Sequence, residues 1–111
     1  GPCLEAYRTG QPVLVADLSA EASRWPAFAE RAAEYGFLAV TALPLRLRTE
    51  RVGALNMFLS EAGEMSPADV AVAQALADVA TIGILHQRIL TRSEVVNQQL
   101  QTALNTRLVI E

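Results

Sequence analysis

The sequence predicts an α+β fold: an antiparallel sheet with flanking helices, followed by one long C-terminal helix. Three observations carry this. Two apolar runs, Phe37 to Leu47 and Val52 to Leu59, alternate in side-chain character and are separated by the polar stretch Arg48-Thr49-Glu50-Arg51, as an antiparallel hairpin requires. Trp25, Phe28, Ala29, Ala32 and Tyr35 recur at helical spacing and form one apolar stripe. No proline follows Pro67, and Gly83 is the only later glycine, so a helix can run to the end of the chain.

Composition sets the bounds. The chain has 111 residues, 51% of them apolar and 19% charged, which suits one small folded domain. A net charge of -3 argues against nucleic-acid binding through bulk charge, and all nine basic residues are arginine. The single cysteine, Cys3, cannot form an internal disulfide, so a reducing, cytoplasmic setting is expected. Apolar residues are dispersed, with no run near the roughly 18 that span a bilayer, and no membrane partner is expected. The start at Gly1, without Met or a charged leader, reads as a fragment or processed piece lacking a signal peptide.

The elements follow in order. Pro2 to Thr9 reads as a two-turn helix, opened by Pro2 and ended by Gly10 in the left-handed conformation. Pro12-Val13-Leu14-Val15 is a brief strand, and Asp17 starts the turn after it. A second helix runs from about Trp25 to Tyr35, with Gly36 just beyond its end; Arg24, Glu30, Arg31 and Glu34 fall outside its apolar stripe and face water. In the hairpin, Leu43, Leu45 and Leu47 point one way, and Pro44, Arg46 and Arg48 the other. Pro44 has no N–H to give, so its strand is expected to carry a bulge or an unpaired edge there. Ser66-Pro67-Ala68-Asp69 supplies an N-cap, a first-turn proline and a first-turn acid for the last helix.

As one helix, that last stretch has roughly 44 residues and a length of about 66 Å. Such a rod outgrows a small domain and needs another surface. Val72, Val79 and His86 are spaced by seven, as are Ala75, Ile82, Ile89, Val96, Ala103 and Ile110, which is coiled-coil patterning. Val72, Val79, Ile82, His86 and Ile89 are therefore the candidate seam of a homodimer. The pattern weakens at Thr91-Arg92-Ser93-Glu94, and a boundary is placed near Ser93. The remaining globule has about 66 residues and at most three strands, a size that is marginal alone. Both faces of its hairpin carry large apolar residues, so the sheet reads as incomplete. Either further strands precede Gly1 or a partner chain supplies the missing cover.

Gly1-Pro2-Cys3-Leu4-Glu5-Ala6-Tyr7 before a short strand, then an aromatic-rich helix, Leu43-Pro44-Leu45 and Val52-Gly53-Ala54-Leu55-Asn56-Met57-Phe58, resembles the second half of a GAF domain. The segment from Val96 to Glu111, with Ala103-Leu104 and Arg107-Leu108-Val109-Ile110-Glu111 at its centre, is similar to the opening of an ANTAR domain, a helical RNA-binding module. The resemblance implies the middle of an actinobacterial GAF–ANTAR antitermination regulator. Residues 1–92 would be a partial, GAF-like sensor with its dimerisation helix, and 93–111 the start of the RNA-binding module. It also implies a homodimer that controls RNA binding, with a ligand-free dimerisation scaffold as the alternative.

Candidate site residues are few. Cys3, Trp25, Phe28, Tyr35 and Phe58, with Phe37 beside them, are the candidates for a small-molecule pocket; the alternative is ordinary core. No particular cofactor is indicated, and the ligand is unidentified. His86 has no second ligand at helical spacing, so no metal site is expected. Arg107 is the candidate RNA contact, weakly supported by Arg88 and Arg92. The sequence has no Gly-rich phosphate loop, no G-x-S-x-G, no H-E-x-x-H and no Cys–His arrangement, and no catalytic residue is assigned.

Overall fold

The computed structural model describes the backbone of residues 1–110 and the side chains of residues 1–105. The elements in order are α1 (Pro2–Thr9), β1 (Val13–Val15), α2 (Pro26–Glu34), β2 (Ala39–Leu47), β3 (Glu50–Leu59) and α3 (Pro67–Ile110). The chain divides into two compact units, Gly1–Thr81 and Ile82–Glu111.

The first unit is built on β2. The sheet is antiparallel in the order β1-β2-β3, so the most apolar strand lies in the middle. Val13, Leu14 and Val15 pair with Ala42, Thr41 and Val40, while β3 pairs along the whole of β2, from Ala39↔Leu59 to Leu47↔Glu50. Every residue from Ala39 to Pro44 is buried, on both faces of the pleat. Val40 packs with Val15, Leu18 and Ala32, and Trp25, Phe28 and Phe37 lean on that cluster.

The hairpin is tighter than the polar stretch between its runs implies. Strand pairing extends to Leu47↔Glu50, leaving Arg48 and Thr49 as the turn. Arg48 takes a positive φ of 57°, a conformation in which glycine and asparagine are the usual residues. The unpaired edge expected at Pro44 is present, since β1 pairs only as far as Ala42, and a bulge lies one residue further on, in the other strand. Leu45 pairs with Gly53 but Arg46 pairs with Arg51, which leaves Val52 as the extra residue. Pro44 itself is accommodated because β1 ends opposite Ala42, two positions before it. Its carbonyl accepts a hydrogen bond from Gln74 Nε2 at 3.0 Å, and the same nitrogen donates to Asp78 Oδ1 at 2.9 Å.

The bulge places two arginines side by side, and α1 uses both. Like charges directly across a strand pair repel. Here the Arg46 guanidinium donates to the Gly10 carbonyl and that of Arg51 to the Arg8 carbonyl, at the end of α1, where the helix dipole favours cations. Gly10 closes α1 at φ 68°, its N–H donating to Ala6 at 2.9 Å. A side chain at Gly10 would meet both that backbone strain and the Arg51 guanidinium, 3.3 Å from the position of a Cβ. The other anchor of α1 is Glu5, whose two carboxylate oxygens each accept from Arg24 at 2.6 Å.

α3 begins as its capping sequence predicts. Ser66 Oγ accepts from the Asp69 N–H at 3.1 Å, with Pro67 in the first turn. Ala73, Ala77 and Thr81 form its buried stripe, and the Thr81 hydroxyl donates to the Ala77 carbonyl at 2.7 Å. The helix is unbroken through Ser93. The polar residues there interrupt an apolar stripe without supplying a proline or glycine to break the backbone. Over Pro67–Asn105 the helix is also long and apolar enough to cross a membrane by length and composition, with mean hydropathy 1.6 in its richest 18-residue window. Gln74 and Asp78 interrupt its apolar residues, so they form no uninterrupted run.

Replacing Gln74 with Leu leaves the Pro44 carbonyl without its donor. The expected loss is about 1–2 kcal/mol, the cost of an unmet hydrogen bond in partly buried surroundings. Scanning calorimetry should record a lower Tm by several degrees, and an unchanged Tm would show that the Gln74 contact contributes nothing.

Candidate functional site

One cavity draws the aromatic residues of the first unit together. Its volume is about 260 Å³, and Phe28, Arg31, Ala32, Tyr35, Phe37 and Phe58 line it. The first three lie on α2, Tyr35 is the residue that ends that helix, Phe37 is in the link to β2, and Phe58 comes from β3. Helical spacing produces the α2 wall: Phe28, Arg31, Ala32 and Tyr35 are three or four residues apart and share one face. Pairing Val40 with Phe58 brings the β3 ring to the same side as the Val40 cluster. There its ring stacks on Phe37 at 4.9 Å between centroids and on Phe28 at 5.9 Å, with interplanar angles of 28° and 24°.

Phe28, Tyr35, Phe37 and Phe58, named from sequence, therefore share this wall, and Cys3 and Trp25 do not. Trp25 precedes α2 as its N-cap, at φ -136°, so the helical stripe does not extend to it. Its ring packs on the core cluster and lies 4.3 Å beneath the Arg24 guanidinium. Cys3 sits half-buried on α1, where burial pushes its thiol above the ordinary value of 9.0 and the nearby N-terminal amine only partly opposes the rise. A thiol held in that state is a poor nucleophile and a poor ligand. Arg31 and Ala32 were missed as wall residues. Arg31 reads as solvent-facing because it is charged, and only its position three residues after Phe28 and four before Tyr35 signals the cavity.

The wall offers carbon and little else. Its only charged residue is Arg31; the acids nearest in sequence, Glu30 and Glu34, do not line it. Tyr35 is 70% exposed and Phe58 39%, so the cavity opens to solvent past its aromatic rim. Among the described residues, no group of three or more His, Cys, Asp or Glu side chains is placed to hold a metal ion.

The second candidate surface is the outward side of α3. Val72, Val79, Ile82 and Ile89 are 61%, 66%, 52% and 65% exposed, and His86 is exposed with them. The side chain of Arg107 lies outside the described residues.

The GAF domain family model matches residues 1–85. Among solved structures, the chain is similar to the GAF domain region of a protein assigned to the membrane in Geobacter sulfurreducens PCA, with TM-score 0.64 and 17% identity. It is also similar to a domain assigned to a two-component sensor histidine kinase of Sinorhizobium meliloti 1021, with TM-score 0.68 and 15% identity. Each alignment covers 76% of this chain, but only 56% and 57% of the other, so the chain spans little more than half of those structures. No curated protein matches the sequence. The strand pairing, the helices around it and the family match agree: this chain belongs to the GAF domain family, whose members sense signals and regulate.

Proposed function

We propose that the chain is a non-catalytic sensing module that pairs with a second copy along α3. It passes a ligand-linked change down that helix to an RNA-binding, ANTAR-like output that acts in transcription antitermination. The observation that carries the pairing is that α3 is apolar well beyond its buried stripe. Ala73, Ala77 and Thr81 are buried inside the first unit, whereas Val72, Leu76 and Val79 are more than 60% exposed. Val79 lies about 200° around the helix from Ala77. A surface helix needs only one apolar face. The seven-residue spacing of Val72, Val79 and His86, and of Ile82 and Ile89, matches the exposed side to a copy of itself.

The sensing half of the reading is supported by the aromatic cavity and by membership of a signal-sensing family. The output half is supported by the likeness of Val96 to Glu111 to the opening of an ANTAR module, in which Arg107 would face RNA. A cytoplasmic location fits such an output. For the two to be coupled, the paired helices need alternative packings that ligand and RNA bias differently. Gly83 and His86, small and polar within the apolar seam, are the places for alternative packing.

Ile82→Asp or Ile89→Asp should convert a dimer to a monomer by light scattering. Both side chains are exposed in the single chain, so helicity by circular dichroism should be retained. An unchanged oligomeric state would remove α3 as the seam. A thermal-shift screen of nucleotides, haem and small metabolites tests the sensing half: a reproducible rise in Tm is expected, and no rise with any of them would leave a dimerisation scaffold.

A further inference from the structure

We infer that the aromatic cavity takes an uncharged, flat aromatic molecule of one or two fused rings; this rests on the sensing reading above and names its ligand class. Size is the first constraint. An apolar cavity of about 150 Å³ holds one benzene ring, and drug-sized ligands occupy roughly 300 to 1,000 Å³. At about 260 Å³ this cavity lies between the two.

The shape of the wall is the second constraint. Phe58 stacks on Phe37 at 4.9 Å and on Phe28 at 5.9 Å, and both of those rings lie within 28° of parallel to it. A flat guest laid along the stack continues it. An aromatic cage for a quaternary ammonium turns ring faces toward the cation from several sides. Near-parallel rings do not enclose one.

Polarity is the third. The lining surface is wholly apolar: Arg31 contributes the carbon of its stem, and neither its guanidinium nor the Tyr35 hydroxyl is part of that surface. No Ser, Thr, Asn, Gln, Asp or Glu lines the cavity. A charged or hydroxylated guest gives up hydrogen bonds to water on entering and finds no partner in the wall. An aromatic hydrocarbon has none to give up, and it gains by leaving water.

The test is NMR titration of the whole chain with naphthalene, 1-naphthoate and 1-naphthylmethylammonium. Naphthalene should bind at least about tenfold tighter than either ion, the scale of burying an unmet polar group. Its protons should move upfield, as protons held over ring faces do, and the ring protons of Phe28, Phe37 and Phe58 should move with them. Phe58→Leu keeps the wall apolar but removes the middle ring of the stack. Naphthalene should then bind about two- to tenfold more weakly, the scale of one aromatic pair. Tyr35→Leu, at a position that is 70% exposed, should also weaken it, without lowering Tm. An ion bound as tightly as naphthalene, undiminished binding to both variants, or no binding of naphthalene would each overturn the inference. So would Phe28 and Phe58 ring shifts that change on dilution without any guest, which would give the cavity to a second copy. The thermal-shift screen keeps the sensing reading separate: if naphthalene fails and another compound raises Tm, only the ligand class falls.

Discussion

The structure depends on one constraint: β2 is buried on both of its faces, so something must cover each. A strand with one wet face needs a single layer of helices, but a doubly buried strand needs two. The α2 cluster around Val40 meets the demand on one side. α3 reaches the same strand through Gln74, whose amide takes the carbonyl of the one residue, Pro44, that cannot complete a ladder. Ala73, Ala77 and Thr81, all small, form the buried stripe of α3. The large apolar residues Val72, Leu76 and Val79 are left exposed.

Much of this was legible in the sequence. The hairpin was, because alternation over Leu43 to Leu47 and Val52 to Leu59 survives the bulge between them. The start of α3 was, because Ser66, Pro67 and Asp69 state an N-terminus in three independent ways. At Pro44 the unpaired edge was legible, but the bulge beyond it was not. Pro44 signals a missing donor, but where the extra residue falls depends on how Arg46 and Arg51 are accommodated by α1, and that contact spans more than thirty positions.

The cavity was half legible, for the same kind of reason. Phe28 and Tyr35 are set by helical spacing, and Phe58 by alternation in β3, so local periodicity brings them to one side. Trp25 fails because the helix starts after it, and Cys3 because α1 carries it elsewhere in the unit. Arg31 shows the opposite failure: a charged residue in an apolar stripe is read as decoration of the solvent face. Its stem can line a cavity while its head stays wet, a division that sequence hydropathy does not record.

The paired arginines of the hairpin have a consequence for how the domain opens. Arg46 and Arg51 repel one another unless the carbonyls of Arg8 and Gly10 are in place, and α1 in turn loses its terminal partners when the strand ends separate. Neither piece is secure alone. α1 and the tip of the hairpin thus form one cooperative sub-global unit, whose amides become accessible to exchange together while the Val40 end of the sheet stays closed.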